Sequence, residues 1–142
     1  MYIKLDLYIP PKAIQSTRFG NGRCHPDKQA EAWKRAVSLM AASQLPSGYK
    51  PYNGAVIVTQ LEFVFMVTAA IKKKFPDWKT GEPVFKSTKP DIDNLQKGLY
   101  DALAGIVYIR DQQIVQTQLF GKIYGTRPHI FVEFRLGGVR HG

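Results

Sequence analysis

Cysteine is almost absent from this chain: Cys24 is the only one in 142 residues. A lone thiol excludes an intramolecular disulfide framework and a zinc site built on several thiolates of one chain, and it fits a reducing compartment. Long apolar runs are also missing. No stretch of about 18 apolar residues could span a bilayer, and the opening MYIKLDLYIPP lacks the apolar core of a secretion signal. The expectation is a cytoplasmic protein without membrane contact. Among His25, His129 and His141 no pair has metal-ligand spacing, and no Gly-rich phosphate loop or serine-nucleophile motif occurs. Negative charge is scarce too, with 11 Asp plus Glu against 20 Lys plus Arg and a formal net charge of +9. The resulting pI near 9.7 favours a polyanionic partner such as nucleic acid, although a basic surface can also serve solvation alone.

With 44% hydrophobic and 22% charged residues, the composition is that of a folded globular chain, and its length suits a single domain over residues 1–142. Ile3, Leu5, Leu7 and Ile9 alternate with Tyr2, Lys4, Asp6 and Tyr8, the period of a half-buried strand, which Pro10 and Pro11 end. A basic loop with Arg18 and Arg23 follows. Asp27 then stands where it can cap a helix running to Leu45, with Trp33, Ala36, Val37 and Met40 as its apolar stripe and Lys34 and Arg35 outside it. AVIVTQLEFVFMVTA, from Ala55 to Ala69, reads as a long strand in which Leu61, Phe63, Phe65 and Val67 share a face. Ile71 to Lys89 reads as a basic loop broken by Pro76, Gly81 and Pro83.

A second helix is expected from Pro90 to Gly105, with Leu95, Leu99, Ala102 and Leu103 buried and Gly105 as terminator. After it IVYI, QQIVQTQLFGKIYG and HIFVEFRL read as three strands, and GGVRHG as a frayed tail. The order predicts an α/β (α+β) fold, a small mixed β-sheet covered by two main helices.

Against this basic background, Asp91, Asp93, Asp101 and Asp111 fall within one short window. One account is local: carboxylates at a helix start accept orphan N–H groups and complement the helix dipole, and Asp93, Lys97 and Asp101 at spacings of four could form a surface ion-pair ladder. The other account is chemical. Two carboxylates one residue apart at a helix mouth, joined by Asp111 if the following turn carries it back along the helix, form the oxygen cage that Mg²⁺ prefers. Lys97, about one turn or 5.4 Å beyond Asp93, could stabilise charge on a phosphate. Asp101 lies deeper in the helix and reads as structural.

The neighbourhood favours the second account. Lys72, Lys73, Lys74, Lys79, Lys86 and Lys89 precede the carboxylates, and a phosphodiester-cleaving enzyme needs lysines for the backbone beside carboxylates for the ion. Trp78 and Phe85 could stack on unpaired bases or belong to the core.

KPDIDNLQKGLYDALAGIVYIRDQQIV resembles the signature of the RusA family of Holliday junction resolvases, endonucleases of bacteria and their phages. It combines Asp91-x-Asp93-Asn94-Leu95, Lys97, the DAL of Asp101 to Leu103, Gly105, Val107 and Asp111-x-Gln113 in family-like order and spacing. PPKAIQSTRFGNGRCHPDK is similar to the proline- and basic-rich loop before the family's first helix. The likeness covers most of the chain, with Ser47 to Lys89 matching in pattern rather than in residues. It implies a mixed α/β homodimer in the cytoplasm, bacterial or phage-encoded, that cleaves four-way DNA junctions with Mg²⁺, Mn²⁺ being a substitute. It further implies that Asp91, Asp93 and Asp111 are catalytic metal ligands, with Lys97 as the catalytic lysine; Asn94 also matches the signature and reads as orienting a backbone group or a carboxylate. Many relatives carry an additional acid where Arg110 stands here.

Arg18, Arg23, Lys72, Lys73, Lys74, Lys86 and Lys89 are the expected DNA contacts. The rival expectations are a DNA-binding module without catalysis and a nuclease for flaps, nicks or other branched DNA. A sugar-nucleotide transferase using its DxD motif has too little chain for a nucleotide-binding domain and an acceptor site.

Overall fold

The computed structural model describes residues 1–14, 17–20 and 23–142, with only the backbone described for 17–20 and 23–26. Strand β1 (Tyr2–Leu7) is followed by a hairpin of β2 (Thr17–Gly20) and β3 (Arg23–Pro26), helix α1 (Lys28–Gln44), β4 (Val56–Met66), the short helix α2 (Ala69–Lys74), α3 (Ile92–Leu103), β5 (Ile114–Gly125) and β6 (His129–Leu136). The main sheet has the order β1-β6-β4-β5. β4 and β5 run parallel, and β6 is antiparallel to both β1 and β4. The architecture is the expected α+β, a mixed sheet with α1 and α3 packed together beside it.

Alternation explains the sheet. Ile3, Leu5 and Leu7 of β1 and Ile130, Val132, Phe134 and Leu136 of β6 are buried, and they pair in register as Ile3 with Phe134, Leu5 with Val132 and Leu7 with Ile130. The central strand β4 departs from strict alternation. Its register against β6 shifts between Val58 and Gln60, and such a bulge turns the pleat over. Val56 and Val58 before it, and Leu61 and Phe63 after it, therefore all join one core.

The first helix begins as read, with the Asp27 carboxylate accepting from the N–H groups of Gln29 (3.0 Å) and Ala30 (3.2 Å). Its buried residues are Ala30, Trp33, Val37 and Ala41, and the Trp33 indole donates to the Pro10 carbonyl at 2.9 Å, fastening α1 to the end of β1. Ala36 and Met40 are only half-buried. Lys34, expected outside the stripe, lies against α3 and pairs with Asp101 at 2.5 Å.

Helix α3 buries Leu95, Leu99, Ala102 and Leu103 as expected, together with Gly98. A Cβ at Gly98 would stand 2.6 Å from Ile14 Cγ1, so the glycine permits a close approach of α3 to the chain after β1. Gly105, at φ +83°, ends the helix region as expected.

Three expectations are corrected. The segment with Arg18 and Arg23, expected as a basic loop, contains two strands, β2 and β3, that pair antiparallel. IVYI, residues 106–109, is a turn rather than a strand: the Ile106 and Val107 N–H groups both donate to Leu103 O, and Tyr52 bonds to Val107 O and, through its own carbonyl, to the Ile109 N–H. Its apolar character reflects burial, since the adjacent Val107 and Tyr108 are both inside, which no pleated strand with one covered face would allow. The basic segment after Ala69 is also not wholly loop. Ala69–Lys74 is helical, with the Thr68 hydroxyl accepting from the Ile71 N–H at 3.2 Å, a cap followed by good helix formers.

Candidate functional site

β5 and α3 lie side by side and run in opposite directions. The Tyr100 hydroxyl of α3 shares a 3.1 Å hydrogen bond with Thr117, whereas near the helix start the Lys122 ammonium donates to the carbonyls of Thr88 and Pro90, each at 2.7 Å. The segment before the helix is stitched to the same end of β5 by its backbone: Lys86 N–H donates to Lys122 O (2.9 Å) and Tyr124 N–H to Val84 O (3.0 Å). This arrangement delivers Asp91 to the N-cap of α3.

Asp91 caps with its main chain only. Its carbonyl accepts from Leu95 N–H at 3.1 Å, and its side chain makes no capping hydrogen bond. Asp93 is exposed in the first turn and Lys97 is exposed a turn later. The possible ladder from Asp93 through Lys97 to Asp101 does not form: among the described residues the ion pairs are Lys4–Glu133 and Lys34–Asp101. Asp101 is thus held by α1, in keeping with its structural reading. The Asn94 side chain is exposed and takes part in no hydrogen bond among the described residues.

Asp111 stands at the other end of the helix. It opens a 3-10 turn, Asp111–Gln113, three residues after the buried Tyr108, whose hydroxyl donates to Tyr100 O at 2.6 Å. Burial first, then the nearby Tyr100, Asp111 and Asp101, push the Tyr108 hydroxyl well above the usual tyrosine range. Along the helix axis Tyr100 is about 14 Å from Asp91. The turn after Gly105 therefore does not carry Asp111 back to the helix start within one chain, and no group of three or more His, Cys, Asp or Glu converges on a metal position among the described residues. Gln113 fixes this turn, accepting from the Arg110 N–H (2.7 Å) and donating to Tyr52 O (2.8 Å) and Gly54 O (2.9 Å).

The basic residues lie on α2 and on the segment leading into α3. Lys72, Lys73 and Lys74 are exposed on α2, as is Lys89 just before the site. Lys72 and Lys79 lie 5.9 and 5.6 Å from the Trp78 ring centre, which lysine stems partly cover. Lys86 rests over the rings of Phe65 and Tyr124 at 5.3 and 5.5 Å and donates to the Thr88 hydroxyl. Phe85 is 66% exposed. Arg18 and Arg23 lie on the β2–β3 hairpin, in register with His25 and Gly20, and their side chains lie outside the described residues.

Sequence reasoning missed Lys122, and the signal was present: it is the one charged residue in IVQTQLFGKIYG. It also missed the edge character of β5, where Val115, Leu119 and Phe120 are exposed.

Among the described residues no helix is long and apolar enough to cross a membrane. In comparisons with known proteins, a Bacillus subtilis (strain 168) protein named "Uncharacterized protein YqaN" is 29% identical over 138 residues, 94% of this chain and 95% of that one. The family model of endodeoxyribonuclease RusA matches residues 9–135, a span that takes in β5, α3 and the four aspartates Asp91, Asp93, Asp101 and Asp111, and so this chain belongs to the RusA endodeoxyribonuclease family.

Proposed function

We propose that this protein is a divalent-metal-dependent endonuclease that resolves four-way DNA junctions by paired phosphodiester cleavage, acting in DNA recombination and repair as a homodimer. The observation that carries the reading is the pair Asp91 and Asp93 at the start of α3, which among the described residues enter no side-chain cap or ion pair, beside lysines in a family of endodeoxyribonucleases. Carboxylates left out of caps and ion pairs are available to a cation. Their oxygens suit Mg²⁺, which is commonly held by one or two carboxylates together with substrate phosphates. Bound there, Mg²⁺, or Mn²⁺ in its place, supplies Lewis acidity and an activated water. Lys97 stabilises charge on the scissile phosphate from the next turn of the same helix. Lys72, Lys73, Lys74, Lys86 and Lys89 hold the flanking backbone, with Arg18 and Arg23 as further contacts.

The edge of the sheet supports the dimer. Along β5 the stretch IVQTQLFG, residues 114–121, carries no charge, and Val115 (55%), Leu119 (74%) and Phe120 (42%) are exposed on it. Edges left this way invite another strand, because lysine or proline normally blocks them. A second copy presenting the same edge about a two-fold axis must pair antiparallel. Reversal of the chain then brings the partner subunit's Asp111 toward the Lys122 end of β5, where Asp91 and Asp93 stand. Asp111 serves as the third carboxylate across the interface, and a two-fold dimer presents equivalent sites to two strands of a junction.

The test is cleavage of a synthetic four-way junction, a flap, a nicked duplex and a linear duplex over a Mg²⁺ titration. Paired cuts in the junction and an intact linear duplex are expected. Equal cutting of junction and linear duplex would sink the resolvase reading, preference for flaps or nicks would redirect it, and salt-sensitive binding with no cleavage would leave only a DNA-binding module.

A further inference from the structure

We infer that Lys122 is a positioning residue: it clamps the peptide leading into α3 onto β5 and thereby fixes where the Asp91 and Asp93 carboxylates stand. The inference rests on the reading of those two residues as metal ligands. Lys122 lies in register with the buried Phe63 of β4, so its stem crosses the packed face of the sheet and delivers the ammonium beneath the helix start. There two of its three N–H donors are committed to Thr88 O and Pro90 O at 2.7 Å. Hydrogen bonds to a charged donor are the strong ones, worth roughly twice a neutral pair. The second of these carbonyls belongs to the peptide that ends in the Asp91 nitrogen, so any shift of that peptide moves the N-cap with it.

The site needs such a clamp. Residues 87–91 belong to no helix or strand, and Asp91 uses no side-chain cap to anchor itself. The backbone bonds of Val84 and Lys86 to β5 stop short of the helix. Lys122 bridges the gap between that last backbone bond and the first helical bond, Leu95 N–H to Asp91 O. A lone lysine in an otherwise uncharged strand is thereby explained without any contact to substrate.

The experiment compares Lys122→Met and Lys122→Arg with the wild type. Amide hydrogen exchange is read in metal-free protein, junction affinity without metal, and single-turnover cleavage over a Mg²⁺ titration. In Lys122→Met the Leu95 amide should exchange about tenfold faster as the first turn loosens, while the Lys86 amide, bonded to the main chain of residue 122, stays as it was. Junction affinity should hold within about twofold, and maximal cleavage should fall by about 10–100-fold with more Mg²⁺ required, the usual range for groups that orient ligands. Lys122→Arg should recover most of both.

Unchanged exchange at Leu95 would overturn the clamp whatever the activity. Affinity falling in step with cleavage would overturn it in favour of a phosphate contact. If wild type cleaves none of the DNA substrates, the nuclease reading fails by itself, and exchange at Leu95 still decides the clamp.

Discussion

Asp93 and Asp101 sit on the same helix eight residues apart, yet their surroundings differ in kind. Asp101 is met by Lys34, reaching across from α1 at 2.5 Å. Asp93 has an exposed lysine one turn away on its own helix and does not pair with it. The fold therefore sets a cation from another element against the deeper aspartate and, among the described residues, sets none against the one at the helix mouth. An acid matched by its own fold contributes to packing, whereas an acid kept unmatched beside a basic surface is available to a ligand.

The sharpest way to break that comparison is to neutralise each acid in turn. Asp93→Asn removes a proposed metal ligand and should lower junction cleavage on the order of 10³-fold, while the loss of its charge from the first turn of α3 should cost no more than about 1 kcal/mol of stability. Its junction affinity in metal-free buffer should be equal to wild type or tighter, since a negative charge facing phosphates has gone. Full cleavage by Asp93→Asn would place the chemistry elsewhere and remove the distinction between the two acids.

Next in size is a test of the two ends of α3. Asp93→Asn and Asp111→Asn should each be inactive as homodimers. If Asp111 acts across the interface, a mixed dimer retains one site with all three acids, so a one-to-one mixture should regain about a quarter of the wild-type sites by random exchange. Nicking of one strand, rather than paired cutting, should dominate the product. A mixture as dead as its components would show that Asp111 acts within its own chain or not at all. Leu119→Lys, which puts charge on the exposed edge of β5, should abolish both the dimer and the rescue.

How far all this was legible in the sequence follows from the range of the interactions involved. α1 and α3 could be read because their stripes and caps are local: Asp27 lies beside the N–H groups it caps, and Leu95, Leu99, Ala102 and Leu103 repeat at helical spacing. β1 and β6 could be read from alternation, and β4 from its run of β-branched and aromatic residues. The IVYI turn could not, since consecutive burial of Val107 and Tyr108 gives the same residue types as a strand, and its geometry depends on a long-range exchange of hydrogen bonds with Tyr52. At the site, the pairing of Asp91 with Asp93 is a matter of spacing. Lys122 and Lys34 reach their partners over 32 and 67 positions of chain, and Asp111 depends on how the chain leaves Gly105. Side chains whose partners are set by tertiary packing leave only indirect traces, such as a solitary charge in an apolar strand.

The smallest expected effect concerns the Lys34–Asp101 pair, and it completes the comparison because it asks whether Asp101 is only structural. The Lys34 side chain is 14% exposed and that of Asp101 52%, so solvent screens the pair on one side and its worth should be about 1 kcal/mol or less. For a chain of this size that corresponds to a loss of roughly 3–5 °C in melting temperature for Asp101→Asn. Lys34→Met should cost a similar amount, and the double variant no more than either single one, because once one partner is gone the other has nothing left to lose. Junction cleavage at a temperature where all three are folded should match wild type in rate and in Mg²⁺ requirement. A fall in cleavage rate for Asp101→Asn with its melting temperature intact would move Asp101 from the frame of the helix into the site, and the two aspartates would then differ in degree only.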